Sequence, residues 1–487
     1  MRLPGGDLAA KLADRLHALD YTVEGVRHVV GDVAARALDR GEWLPASWHL
    51  TDDRSALATV VRCFMLAEPV EADRLSHALR LPLPDLHDLV TVDGGDTAAT
   101  VELAPCALDD SDLFIASDWS SRRTGRTIAS DHVLGVGGAS LMLSQCTVRP
   151  AVARALDVGT GCGIQALQLA THSRHVVATD VSPRALELAA FNAALNGVPL
   201  DLRAGDLFDP VADEQFDLVV SNPPFVIGAP AAGRREYRDF GGAGDAVCEA
   251  MVSGAGRHLA EGGWCQLLAN WEITDPDDWS MNPRQWVAAT DLDAWVIQRE
   301  VQDPAEYVEM WLRDAGEQRG QAYAALYDEW LSILESRAVR AIGFGLITLR
   351  RGGGAPVRRF QHVPQTWSQP LAGEVEHWFE VQDWLAADPS GPLTSPLALA
   401  DDVVLEQHLW ATAEPVSMVS RTSGMRWTGP VDAFGIDVLA ALDGERPAGE
   451  VVLEVADRYQ ISGETALDQA ISVLGRLAEE GFVRQRS

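Results

Sequence analysis

The stretch from Ala155 to Phe225 constrains the fold more than any other part of the chain. It opens with the short apolar strand pattern of Leu156 to Val158, which runs into Gly159-Thr160-Gly161-Cys162-Gly163 and an apolar helical segment, Ile164 to Ala170. A second buried-type strand, His175 to Thr179, ends in Asp180 and Val181. Gly205-Asp206-Leu207 follows a third strand, and the apolar run Phe216 to Val220 closes on Asn222-Pro223-Pro224-Phe225. Strands alternating with helices in this way predict a parallel sheet. The glycines let a ligand approach the backbone and leave helix N-terminal N–H groups directed at it. Asp180, about twenty residues past the glycine turn, stands where a carboxylate reaches both hydroxyls of a ribose. Asp206 and Leu207 offer an acid and an apolar surface to an adenine ring.

These four elements, with the spacing D-x-G-x-G-x-G in the first, resemble the S-adenosylmethionine-dependent methyltransferases of the Rossmann-like class, in the branch that methylates planar nitrogens. The resemblance implies S-adenosyl-L-methionine as cofactor, held by Asp157, Gly159, Thr160, Gly161, Gly163, Asp180, Val181, Asp206, Leu207 and Asn222. It implies a catalytic set of Asn222, Pro223 and Phe225, and a substrate surface of Pro224, Phe225 and Val226. The chemistry accounts for the motif. An amide or exocyclic amine nitrogen has its lone pair delocalised into a π system and attacks a methyl sulfonium poorly. Two acceptors, the Asn222 side-chain oxygen and the Pro223 carbonyl, can hold both N–H bonds and aim the lone pair at the methyl. Prolines stiffen the turn and lack an N–H, and Phe225 offers a flat face for stacking.

Beyond the motif come a Gly/Pro/Ala-rich loop (226–235), Gly241-Gly242-Ala243-Gly244-Asp245, a helix from Ala246 to Leu259, Gly262-Gly263 and a strand from Trp264 to Asn270. This order is similar to the glutamine methyltransferases that modify release factors and a ribosomal protein. It is also similar to RNA guanine methyltransferases with a "small" methyltransferase domain. The resemblance covers roughly residues 130 to 350. Phe225 stands where the glutamine enzymes usually carry Tyr, and the following loop has no Glu-Pro. Upstream, the glycines of His132 to Ser140 and the Ser140 hydroxyl can face the methionine end of the cofactor.

The chain has 487 residues and a formal net charge of −32. Its length suggests two to four domains, and the acidity counts against tight nucleic-acid binding. A protein or peptide side-chain amide is therefore the favoured acceptor. An RNA base amine, a small-molecule amine and a non-enzymatic cofactor-binding scaffold are the alternatives. The six cysteines include no C-x-x-C pair, which suits reduced thiols in a cytoplasm. The histidines show no metal-ligand spacing, so no metal site is expected. No apolar run approaches the roughly 18 residues needed to cross a bilayer, so no membrane partner is expected either. The oligomeric state is open.

The expected fold is α/β, a seven-stranded Rossmann-like methyltransferase sheet with helical, winged-helix-like N- and C-terminal domains. Residues 1–110 form the first and residues 111–351 the methyltransferase domain, with a helical insertion at 303–340 between strands six and seven. Residues 352–487 open on the glycine run Gly352-Gly353-Gly354 and form a C-terminal α+β domain ending in a winged-helix-like unit. The insertion bears Tyr307, Trp311, Tyr323, Tyr327 and Trp330, which either cap the site or pack against an extra domain. In the first winged-helix-like unit the third helix, Pro84 to Val90, carries no Lys or Arg. Glu464, Asp468, Glu479 and Glu480 face a single Arg476 in the second. The first pattern favours a substrate-side cap or a dimer surface over DNA reading, and the second favours protein contacts or scaffolding. Ser121 to Arg126 is a basic cluster, read as a solvated loop.

Overall fold

The computed structural model of the chain describes residues 3–109, 111–120, 123, 129, 131–224, 226–227, 244–314, 320–410 and 413–485. The chain forms two compact units, Met1–Ser144 with Pro150–His362, and Gln145–Arg149 with Val363–Ser487. Of the basic cluster, only Arg123 lies among the described residues. Its guanidinium sits over the Trp43 ring at 4.5 Å and faces Glu102, Glu42 and Glu68.

The first unit is built on one sheet: β1 (Val152–Val158), β2 (Ser173–Asp180), β3 (Asp201–Ala204), β4 (Phe216–Ser221), β5 (Leu259–Ile273), β6 (Asp293–Gln302), β7 (Ala341–Arg350) and β8 (Arg358–His362). Their order is β8-β6-β7-β5-β4-β1-β2-β3. Strands β1 to β5 pair in parallel. Strand β7 runs antiparallel to β5 and β6, and β8 lies parallel to β6. The chain therefore starts mid-sheet, winds outward through β2 and β3, and returns to β4 on the other side of β1. Ligands bind at such a reversal, beyond the carboxyl ends of the two central strands. Strand β4 is buried along almost its whole length, as expected where both faces of a parallel sheet are covered.

The sheet has one strand more than the seven expected. Strand β8 lies past the glycine run and pairs with β6 from Ala294↔Arg358 to Gln298↔His362, so an edge drawn at residue 351 leaves it out. Its half-buried alternation of Arg, Phe, Gln and His carries too little apolar signal to be read as a strand.

Helix α1 (Ile164–Leu169) follows the glycine turn and α2 (Pro183–Leu195) follows β2. Pro183 opens α2 and the Ser182 hydroxyl accepts from the Ala185 N–H at 3.4 Å, which caps it. On one face of α2, Asn192 and Asn196 act together as a stand-in for a neighbouring strand. The Asn192 side-chain oxygen accepts from the Ala116 N–H at 2.7 Å, and its nitrogen donates to the Ala116 and Cys162 carbonyls at 2.9 and 2.8 Å. Asn196 exchanges the same pair of bonds with Phe114, at 2.9 and 2.8 Å. Spacing of four along a helix and two along a strand brings these groups into register. Phe114 and Ala116, on the edge of Ser111–Ser117, are thereby satisfied without a further strand.

The N-terminal helices Gly6–Ala18, Val23–Val30, Asp32–Leu38, Leu44–His49 and Ala56–Phe64 lead to Val70–Glu71, the helix Ala72–Leu79, a 3-10 turn at Leu83–Leu86 and the hairpin Val90–Asp93/Asp96–Ala99. Where sequence predicts a helix from Pro84 to Val90, one tight turn forms and the chain is already strand at Val90. Val90 is taken into the hairpin instead, where it pairs with Ala99. A continuous apolar core runs from Leu12, Leu16 and Phe64 to Ile164, Leu188 and Phe191. It crosses position 110 without a break.

The insertion forms α3 (Pro304–Asp314) and α4 (Gln321–Ser336). The Asp303 carboxylate accepts from the Ala305 and Glu306 N–H groups and caps α3.

In the second unit the helix Ala372–Ala387 precedes a small sheet in which Pro396–Leu399 lies between Asp443–Pro447 and Val483–Gln485. Helices Ala433–Ala441, Ala448–Arg458 and Gly463–Glu479 complete it, with a second sheet of Val403–Trp410, Ala413–Arg421 and Thr428–Val431. Its buried Arg421 pairs with Glu374 at 2.7 Å and Asp402 at 3.0 Å.

Candidate active site

At the carboxyl ends of β1, β2 and β4 lies a cleft of about 730 Å³. Its floor is the glycine turn. Gly159 and Gly161 have φ of +71° and +55°, and a Cβ on either would meet no protein atom within 4 Å, so the backbone itself faces the space. The turn is fixed by the Gly159 and Thr160 N–H groups, which both donate to the Thr179 carbonyl at 2.9 Å.

Asp180 forms one wall. Its carboxylate accepts from the Gly161 N–H at 2.9 Å and from the Ser182 N–H at 2.8 Å. Those two bonds fix the plane of the carboxylate beside the floor. Next to it Val181 is 51% exposed, an apolar side chain left uncovered in the cleft. The far side of that wall is Gly205, Asp206 and Leu207. Leu207 has φ of +43°, a left-handed conformation that side chains avoid. Its carbonyl accepts from the Thr179 hydroxyl at 3.2 Å, which helps hold it there. Backbone strain of this kind is concentrated at binding sites.

Asn222 and Pro224 form the opposite end. Strand β4 is tied in just before them, where the Ser221 hydroxyl donates to the Val158 carbonyl at 2.7 Å. The Asn222 side-chain nitrogen lies 3.5 Å from the Ser140 hydroxyl. The Ser140 carbonyl in turn accepts from the Gln165 side chain at 2.8 Å. A run from His132 to Ser140, including Gly135, Gly137 and Ala139, closes the cleft on that side.

Of the residues predicted from sequence, Gly159, Thr160, Gly161, Asp180, Val181, Asp206, Leu207, Asn222 and Pro224 line this one cleft. Asp157, Gly163, Pro223 and Val226 do not. Asp157 lies beneath the floor, 1% exposed. One carboxylate oxygen accepts from the Thr160 hydroxyl at 2.7 Å and the Ala166 N–H at 3.1 Å, while the other has no partner among the described residues. Burial pushes its carboxyl up to about 7, against those two bonds. Gly163 packs against α2, where a Cβ would stand 3.2 Å from that of Ala189. Pro223 is buried, and Val226 belongs to the core of the insertion helices. Phe225 and residues 228–243 lie outside the described residues. Cys162, Ile164, Gln165, Ser182, Ala185 and Gly205 also line the cleft. Cys162 and Gly205 belong to the quoted motifs, and the others sit within a few residues of one, which is their only sequence signal.

The cleft has the parts an S-adenosylmethionine site needs. Its floor is open backbone that a side chain would obstruct, and an oriented carboxylate stands beside an uncovered Val181. An unpaired buried carboxylate oxygen of Asp157 lies beneath. Residues 135–278 match the family model described as methyltransferase small domain. Two domains of unknown function, DUF7059 and DUF7782, match residues 18–100 and 376–485.

Curated relatives point the same way. The release factor glutamine methyltransferase of Geobacter sulfurreducens is 38% identical over 129 residues, 24% of this chain and 45% of its own length. The ribosomal protein uL3 glutamine methyltransferase of Bradyrhizobium diazoefficiens is 33% identical over 191 residues, 34% and 59% of the two chains. The ribosomal RNA small subunit methyltransferase C of Klebsiella pneumoniae is 36% identical over 136 residues, 27% and 35%. The chain thus spans less than two thirds of the length of these relatives. No helix among the described residues is long and apolar enough to cross a membrane.

Proposed function

We propose that the protein is an S-adenosylmethionine-dependent N-methyltransferase whose acceptor is a planar nitrogen, that of a protein or peptide side-chain amide. The observation that carries this reading is the position of Asn222. It stands in the same cleft as Gly161 and Asp180, at the end of the strand next to β1. A bound S-adenosylmethionine supplies a methyl on an electron-poor sulfonium sulfur. Asp180 would hold its ribose, and Val181 and Leu207 would flank its base. Gly159 to Gly161 give it a backbone floor.

The rest is the work of this chain's own groups. With the Asn222 nitrogen directed at Ser140, its oxygen is left to accept an N–H of the acceptor. Pro223 is buried and its side chain does not line the cleft; in this reading only its backbone carbonyl meets the acceptor, and it accepts the second N–H. Held by both, the nitrogen loses conjugation as it is turned, and its lone pair is aimed into the cleft. No strong base is required, because the proton becomes acidic as the nitrogen gains its fourth bond. It leaves to water or to the accepting carbonyl.

The preference for a protein acceptor rests on charge. A net charge of −32 opposes the phosphate contacts on which RNA binding depends, while the likeness to an RNA methyltransferase supports the rival acceptor. The test adds the purified protein and S-adenosylmethionine labelled on the methyl group to a lysate from cells lacking the protein, followed by protease or ribonuclease. Label removed by protease and retained after ribonuclease is expected. The reverse outcome would assign the protein to RNA.

A further inference from the structure

Upstream, the Asn222–Pro223 corner is fixed by the sheet, whose pairing on β4 ends at Ser221 against Val158 and Leu267. Downstream, the anchor is Ile227. Its N–H donates to the Tyr307 hydroxyl at 2.7 Å, and its carbonyl accepts from the Trp330 indole N–H at 2.9 Å. Tyr307 comes from α3 and Trp330 from α4, so each helix of the insertion holds one backbone group of the same residue. Asn270, near the end of β5, donates to the Tyr307 hydroxyl at 3.0 Å and ties the anchor back to the sheet. Val226 and Ile227 are buried among Tyr307, Val308, Leu312 and Trp330. Tyr307 is fully buried, with Trp330 and Phe344 rings at 6.5 and 5.7 Å.

An apolar core needs none of these polar contacts. Two buried aromatic polar groups are committed here to one peptide segment, five residues past the acceptor-binding asparagine. Pro223 and Pro224 fix two backbone angles of the stretch between them, so the hold on Ile227 bears on the placement of Asn222 and Pro223. We propose that the 303–340 insertion is a positioning device for the methyl-accepting nitrogen, and that Tyr307 and Trp330 are its positioning residues. This rests on the methyl-transfer reading. A misplacement of about 1 Å at such a corner can cost about 100-fold in rate.

Tyr307→Phe and Trp330→Phe keep an aromatic ring and remove the bonds to Ile227. Leu334→Val loosens the same core, in which Leu334 is fully buried, and leaves both bonds to Ile227 in place. Each variant and the wild type are assayed with labelled S-adenosylmethionine and a dilution series of lysate lacking the protein, with rates normalised to cofactor bound. For Tyr307→Phe and Trp330→Phe, the plateau rate falls about tenfold or more. Cofactor affinity stays within about twofold, and Ile227 exchanges its amide hydrogen faster. Leu334→Val lowers the melting temperature and leaves the normalised rate unchanged. Equal normalised rates for wild type and the aromatic variants would overturn the proposal, as would an equal loss in Leu334→Val. A wild type that binds S-adenosylmethionine yet labels nothing would overturn the methyl-transfer reading instead, and this proposal with it.

Discussion

The Asn222 side-chain amide donates toward the Ser140 hydroxyl across 3.5 Å, linking the end of β4 to the segment that closes the cleft. That contact engages the amide nitrogen, and on the proposed reading the oxygen takes the acceptor. Asn222→Ala removes the acceptor-side oxygen, and methyl transfer should fall about 100- to 1000-fold, the usual effect of losing one positioned hydrogen-bonding group. Cofactor binding should hold. Ser140→Ala should cost about tenfold or less, because Asn222 remains and loses only its orientation. Label incorporation read beside calorimetric titration with S-adenosylmethionine separates the two effects.

Asp180 is predicted to matter for binding rather than for the transfer step. Its carboxylate is held by the Gly161 and Ser182 N–H groups. Loss of a charge-assisted bond to a ribose costs about 1.5–3 kcal/mol. Asp180→Ala should therefore weaken S-adenosylmethionine about 10- to 100-fold in calorimetry. An unchanged affinity would remove Asp180 from the site.

Asp157 should give the protein a pH signature. Burial raises its carboxyl from 3.8 to about 7. Between those values the folded state binds the proton that the unfolded state has already released. The resulting stabilisation is complete below about pH 4 and is lost by about pH 7. Asp157→Asn keeps an acceptor for Thr160 and Ala166 and cannot titrate. The difference in urea midpoint between wild type and variant, measured without cofactor, should shift against the wild type as pH rises across that window. It should be flat above.

Asn192 is fully buried and bonds both backbone groups of Ala116 as well as the Cys162 carbonyl. Asn192→Ala leaves three buried polar groups without this partner. A loss of about 3 kcal/mol or more is expected, at about 1–3 kcal/mol for each of the three groups. Differential scanning calorimetry should show it as a lower transition temperature, with a smaller change for the less buried Asn196→Ala.

Much of this was legible in the sequence where the signal is local. The glycine turn after β1, Asp180 at the end of β2 and Asn222 at the end of β4 were placed by strand-ending chemistry, and the structure gathers them into one cleft. The two insertion helices were legible too, from the periodic apolar residues between Ala305 and Ser336. What escaped depends on distant partners. Sequence marks Tyr307 and Trp330 as aromatic, yet nothing near either names Ile227. Asn192 and Asn196 read as ordinary helix residues, because the strand they satisfy lies about eighty positions earlier. Gly163 and Asp157 belong to the cofactor motif by spacing, while their side of the backbone faces the helix and the core.

The place of β8 bears on how this protein can be divided. The run Gly352-Gly353-Gly354 invites a cut, and a fragment ending at Arg351 would hold every other strand of the sheet. It would also bare the outer rim of β6 from Ala294 to Gln298, a row of amide and carbonyl groups with nothing to bond. Such a rim templates aggregation. A soluble fragment should carry the chain through His362.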